Sequence, residues 1–281
     1  MMNWDSWILE NEITIRLVFF FGIFAVIAIW ELILPRRSLR VSKGLRWLSN
    51  IGLVFLNSLV IRLLFPTAAI GVAVVAQTQG WGLIGYYQVP FLLAFIMAVV
   101  VMDLVIYLQH VLVHAIPVLW RLHRVHHADL DFDVTTGARF HPLEIVLSML
   151  IKFATIVLLG PPVVAVVVFE VMLNVSSMFN HGNIYIPEKI DRILRLFVVT
   201  PDMHRVHHSV HAPLTNSNFG FSLPWWDRLF GTYVAQPREN HQEMEIGLDI
   251  FRDPKQVNRL PGMLKLPFVS TLGEYSINRR R

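Results

Sequence analysis

The polar residues of this chain fall into a few short blocks, and the intervals between them are long and apolar. A helix that crosses a bilayer needs roughly 20 predominantly apolar residues. Residues 13–34 form the first such stretch, with Arg16 and Glu31 near its ends and Arg36 and Arg37 just beyond. A second covers residues 48–64; Pro66 interrupts it, and its continuation to residue 75 reads as one pass or as a kinked, re-entrant pair. A third covers residues 91–110. Residues 145–180 suffice for two passes folded at Gly160, Pro161 and Pro162, a turn so short that a tight helical hairpin is expected. The pattern predicts an all-α integral membrane protein of four to five transmembrane helices with a cytosolic helical cap.

The loops set the orientation. Residues 36–46 carry Arg36, Arg37, Arg40, Lys43 and Arg46 with no acid, which predicts a cytoplasmic loop. Residues 77–90 carry no charge, and the first base after Asp5, Glu10 and Glu12 is Arg16, so both segments suit the far side. Five passes put the N-terminus outside and the C-terminus inside. The chain then divides into 1–114 (helices ending in the first histidine pair), 115–144 (a second histidine box), 145–181 (the hairpin) and 182–281 (the cap with a third box).

Composition agrees. Of 281 residues 54% are hydrophobic and only 16% charged, against about a quarter charged in a soluble domain. There is no cysteine, which excludes disulfides, zinc–thiolate sites, iron–sulfur clusters and thiolate-ligated haem. The net charge of +4 comes from bases beside apolar segments, so it marks topology and not a nucleic-acid surface.

The chemistry lies in 12 histidines. His110 and His114, at i and i+4, share one helix face. His123, His126 and His127 form an HxxHH box, and His204, His207 and His208 repeat it. If helical, each box presents three imidazoles on one side. His141 in RFHPLE and His181 in FNHGN are single candidates, whereas His211 and His241 fit ordinary surface roles. Imidazole without thiolate suits zinc, copper, nickel or iron. One zinc site uses three or four ligands, so this many histidines points to a pair of metals. The Glu-x-x-His motif of carboxylate-bridged bundles is missing.

The order HxxxH, HxxHH, a lone histidine at a membrane end, then HxxHH resembles the fatty acid hydroxylase/sterol desaturase superfamily over residues 103–233. The local strings HRVHHAD, RFHPLE, NHGN, HRVHHSVH, TNSNFG and WWDRLFGTY carry the resemblance, and HPLE and WWDRLFGT look most like the sterol C4-methyl oxidase and alkylglycerol monooxygenase branches and their bacterial relatives. The resemblance implies two iron ions, O2 as co-substrate and an external electron donor, either a cytochrome b5-like protein or a ferredoxin with its reductase. The ten candidate ligands are His110, His114, His123, His126, His127, His141, His181, His204, His207 and His208. Some members carry a further histidine four residues before the lone one, where this chain has Ser177; His141 is the candidate to make up the set.

Three further residues are candidates for catalysis. Asp103 stands two turns before His110, where a carboxylate would orient ligands and offset the charge of the metals. Glu170 and Asn174 continue through Ser177 to His181 as a stripe on one helix face. Glu170 lies about 16 Å from His181 along a straight helix, so a substrate channel or a polar chain suits it better than ligation. Lys152 and Arg62 are expected to snorkel to lipid phosphate, residues 189–197 to lie on the membrane surface as an amphipathic helix, and Trp225, Trp226 and Phe230 to be interfacial anchors or core of the cap. Asp129, Asp131 and Asp133 are expected in a solvated loop.

These readings converge on an O2-dependent di-iron oxidase acting on a lipid C–H bond, with hydroxylation favoured over desaturation, in a bacterial inner membrane or an endoplasmic reticulum. A membrane zinc metallohydrolase would need a base such as Glu144 or Glu170, and HExxH is absent. A histidine-rich metal transporter would place its ligands at the bilayer midplane on broken helices.

Overall fold

In lipid a backbone must satisfy its own hydrogen bonds, and the apolar stretches do so as helices. The computed structural model describes residues 7–278 apart from positions 9, 66 and 238. The helices used below are α1 (Glu12–Ile33), α2 (Lys43–Leu64), α3 (Ala68–Thr78), α4 (Phe91–Ala115), α5 (Pro117–His127), α6 (Pro142–Leu159), α7 (Val163–Asn180), α8 (Glu188–Leu194), α9 (Pro201–His207) and α10 (Trp225–Leu229). Five segments are long and apolar enough to cross a membrane: α1, α2 running on into α3, α4, α6 and α7. No strand is formed among the described residues. Pro66 itself lies outside the described residues, but α2 ends and α3 begins on either side of it.

The hairpin turns where expected. α6 closes on Gly160 at φ +64°, a left-handed C-cap, and Pro162 caps α7. Gly160 also packs against Trp81 and Gly82, where an added Cβ would come within 2.1 Å of the Trp81 carbonyl oxygen. Ala69, Ala73 and Ala76 of α3 form a buried small-residue face against Met102, Ile106, Ile156 and Phe169, and small residues let membrane helices approach closely. α1 packs mainly on α7, and α4 on α5 and α7. Val18, Phe21, Phe55, Leu63 and Leu92 face outward, as lipid-facing residues do. A second core, built on Trp120, Val125, Leu130, Leu248, Phe251, Met263 and Tyr275, holds the cap together. Residues Ile190, Ile193 and Phe197 on and after α8 are exposed in the manner of a surface-lying helix.

The loop of three aspartates corrects the expectation of a solvated segment: Asp129, Asp131 and Asp133 are fully buried. Arg46, itself buried, forks across Asp129 (2.7 and 2.9 Å) and Asp133 (2.7 Å). Asp131 accepts the Arg40 and Val41 backbone N–H groups at 2.8 Å. Arg36 pairs with Asp202 at 3.0 Å. The basic segment 36–46 therefore lies on the same side as the histidine boxes and is bolted to the cap by buried charge. Lys152 is a second correction. It does not snorkel; its Nζ lies 2.8 Å from Glu170 across the hairpin.

Candidate metal centre

The first HxxHH box is helical on α5, and the second lies on α9 with His208 as its C-cap; both helices start at a proline. That position suits proline because its missing N–H is not needed there. In a helix i and i+4 stack on one face while i+3 is displaced to its edge, and the boxes use this difference. His123 and His127 join His110 and His114 of α4 in a group of five, which His207 completes from the other box. His204 and His208 join His181 at the end of α7 in a group of four, which His126 completes. Each box thus serves both groups by sending its i+3 histidine across. The groups share a wall, with the His127 and His208 rings stacked at 4.6 Å and the His204 and His207 rings at 5.1 Å.

The donor chemistry fits two bound metal ions. His110 Nδ1 donates to the Phe219 carbonyl (2.8 Å), His114 Nδ1 pairs with Asn216 Oδ1 (3.0 Å), His123 Nδ1 with Glu144 Oε1 (2.6 Å), and His207 Nδ1 donates to the Ser217 carbonyl (2.7 Å). These bonds place the ring proton on Nδ1 and leave Nε2 as a lone pair. In the group of five every Nε2 is buried and without a hydrogen-bond partner, which in a dry protein interior costs free energy unless something else is bound there. In the group of four, His181 Nδ1 donates to the Ser177 carbonyl (2.8 Å), and its Nε2 faces the Nε2 atoms of His126 and His204 at 3.1 Å each. Nitrogens about 3 Å apart have the spacing of two ligands on one ion at about 2.1 Å. Burial and neighbouring imidazoles push His126, His127, His204, His207 and His208 well below the ordinary imidazole range, and burial pushes His181 down to about 3. The rings are therefore neutral at physiological pH, the form that binds metal.

Gly137 sets the approach of the loop before α6 to this site. A Cβ there would stand 2.5 Å from the Ser177 carbonyl oxygen and 3.1 Å from His181 Nδ1. Gly137→Ala is expected to push His181 out of position and weaken metal retention by roughly 10–100-fold, the usual cost of disturbing the support of a ligand. Dialysis against a graded chelator series measures it.

The other sequence candidates fall elsewhere. His141 belongs to neither group, a correction to its place among the ligands: its Nδ1 accepts the Leu143 N–H and caps α6. Asp103 does not support a histidine either; it accepts Trp226 Nε1–H at 2.9 Å and the Leu223 N–H at 3.3 Å, pinning the cap segment of α10 to α4. Trp226 is thereby half-buried, while Trp225 and Phe230 are exposed. Asn174 and Ser177 do not relay hydrogen bonds to Glu170; they donate to the backbone carbonyls of Glu170 and Gly137. The supporting roles of Glu144, Asn216, Ser217 and Phe219 were not read from the sequence, although HPLE and TNSNFG contain all four.

A cavity of about 370 Å³ opens beside the histidines. His110, His123, His126 and His204 line one end, and Arg16, Lys152 and Glu170 line the other, about 16 Å down α7. Phe140, which also lines the cavity, stacks on His126 at 4.5 Å.

Comparison with known proteins agrees with this geometry. Residues 95–232 match the family model described as fatty acid hydroxylase. The chain is similar to an ornithine lipid hydroxylase of Rhizobium tropici, 28% identical over 57% of this chain and 47% of that protein. It is also similar to the alkylglycerol monooxygenases of Homo sapiens (27% identical over 46% of this chain and 28% of that protein) and Danio rerio (29% over 48% and 29%). The match therefore spans less than half the length of these relatives. No solved structure matches the chain.

Proposed function

We propose that this chain, whose residues 95–232 belong to the fatty acid hydroxylase family, is a membrane-embedded oxygenase that hydroxylates a lipid C–H bond using two iron ions, O2 and an external electron donor. The observation that carries the reading is the pair of adjacent histidine groups, nine imidazoles in all, whose lone pairs converge beside a cavity running into the membrane-spanning helices. Imidazole ligation without thiolate is compatible with iron. Two irons held by these rings would supply the redox chemistry that an unactivated C–H bond requires.

The chain's own residues have separable tasks. The five-histidine and four-histidine groups would each hold one ion. Glu144, Asn216 and the carbonyls of Phe219, Ser217 and Ser177 fix the rings so that Nε2 faces inward. Phe140 and Phe132, stacked on His126 and His181, keep bulk water from the site. The cavity admits the substrate from the bilayer side. The bases of residues 36–46 support a cytoplasmic orientation of this face, where a cytochrome b5-like protein or a ferredoxin and its reductase would deliver electrons. A hydrolase would need a carboxylate free to act as base at the metal. Glu144 is engaged with His123, and Glu170 is about 16 Å from His181.

Iron-reconstituted protein in lipid nanodiscs, given a chemical reductant and isotopically heavy O2, is expected to yield a lipid carrying one heavy oxygen atom by mass spectrometry. Label arriving from heavy water instead, or O2 consumed with no labelled lipid, would contradict hydroxylation.

A further inference from the structure

The five-histidine group meets the cavity through His110 and His123, whereas His114 and His127 do not line it. Those two rings pack instead on Trp120, whose centroid lies 4.8 Å from that of His114 and 5.4 Å from that of His127. Tyr275 in turn stacks on Trp120 at 5.8 Å, with the ring planes 23° apart. Separations of this size are those of aromatic rings in contact. Both rings are buried, Trp120 completely and Tyr275 at 1% exposure. Yet Tyr275 is one hydrogen bond from solvent, because its hydroxyl lies 2.7 Å from Oδ1 of the exposed Asp249. An unbroken aromatic path thus joins two of the candidate ligands to the protein surface without entering the cavity.

The polar ends of the two rings differ. Trp120 Nε1–H is buried and has no acceptor, so an oxidised indole there has no base to take its proton and is restored by an electron alone. The Tyr275 hydroxyl faces the Asp249 carboxylate and the Val210 carbonyl. Burial, with the Asp249 carboxylate, raises the phenol above its ordinary range. The hydroxyl therefore keeps its proton until the ring loses an electron, and Asp249 is placed to receive that proton.

We propose that Trp120 and Tyr275 form a relay that discharges the oxidised metal centre to the protein surface when no lipid occupies the cavity. This rests on the reading of the chain as a di-iron oxygenase and adds a protective function to it. Trp120 gives one electron to the metal centre, which O2 has oxidised, and takes one from Tyr275. Tyr275 passes its hydroxyl proton to Asp249 and remains as a neutral radical. One electron from the external haem or iron–sulfur donor, with the proton returned from Asp249, restores the phenol. In net, the metal centre is reduced by one electron and the donor oxidised by one.

The relay can be seen as a radical. Iron-loaded, reduced full-length protein in detergent is mixed with O2 without lipid and frozen within the first turnover. Electron paramagnetic resonance should show an organic radical whose lines narrow when the chain carries ring-deuterated tyrosine. Tyr275→Phe keeps the stacked ring and the carbonyl that accepts from Asn216 at 2.7 Å. It should abolish the tyrosyl signal and leave oxidised Trp120 in peptide maps. Tyr107→Phe should keep the signal, because that hydroxyl bonds Thr232 instead. Asp249→Asn, at an exposed position, keeps an acceptor but loses the base, so the tyrosyl signal should fall and oxidised Trp120 should rise. A tyrosyl signal that survives in Tyr275→Phe, or iron-loaded protein that forms no aromatic radical and oxidises no Trp120, overturns the relay. Assaying the same preparation with lipid keeps the two readings apart. Protein that hydroxylates lipid without the radical sinks the relay alone. Protein that forms the Tyr275 radical and never hydroxylates lipid upholds the relay and sinks the hydroxylase reading, and protein that takes up no iron sinks both.

Discussion

Replacing His126 with alanine is expected to remove most of the iron from its group and to lower turnover at least about 100-fold, beyond the 10–100-fold typical of a lost supporting contact. His207→Ala should be the milder of the two. The reason is the unequal size of the groups. His126 is one of four, and its loss leaves three imidazoles, whereas His207 is one of five, and its loss leaves four. Four nitrogens still satisfy a tetrahedral ion. His141→Ala serves as the control, because that ring caps α6 and reaches neither group; metal content should not change. Metal analysis per chain and a lipid product assay on the three variants check the order. A greater loss from His207→Ala than from His126→Ala would show that the ligands are partitioned differently.

The second large effect is on stability. Asp129→Ala leaves the guanidinium of Arg46 buried with Asp133 as its remaining strong partner. Breaking a buried pair by removing one member costs roughly 3–5 kcal/mol, which for a chain of this size lowers Tm by on the order of 10 °C. The pH dependence has a definite sign. Arg46 and Arg139 hold Asp129 well below the usual carboxylate range despite its burial. A carboxyl depressed on folding contributes stability that is complete above its unfolded value, about 4, and is lost as pH falls below it. The Tm gap between parent and variant should therefore be full at neutral pH and shrink in acid. A gap that widens in acid would contradict the ion pair as its source.

Local sequence reaches the histidine groups further than it reaches the aspartate loop. The pairing of His123 with His127, and of His204 with His208, follows from helical geometry alone. The crossing of His126 and His207 does not, because it depends on α5 and α9 facing one another across the site, a tertiary fact. The burial of the aspartate loop is hidden from the sequence for a related reason. Alternating acids look like a solvated turn until the cation is found, and Arg46 lies 83 residues earlier in the chain. Local spacing carries no trace of a pair so distant. The Lys152–Glu170 bond, by contrast, is written in the local spacing. Lys152 precedes Gly160 by eight residues and Glu170 follows Pro162 by eight, so an antiparallel hairpin sets them face to face. His141 shows the opposite hazard: an imidazole before a proline at a helix start is as well suited to capping as to a metal. The five segments long and apolar enough to cross a membrane were legible because an apolar stretch of that length has few other fates in a bilayer.

On the proposed reading the histidines form two adjacent metal sites, each made of imidazole nitrogen. Iron quantification combined with X-ray absorption on the full-length protein in detergent tests it most directly. Two equivalents of iron per chain are expected, each with a first shell dominated by imidazole nitrogen at roughly 2.0–2.2 Å, and a second iron as near neighbour. A single iron per chain in protein that hydroxylates lipid at its full rate, or a first shell dominated by carboxylate oxygen, would contradict it.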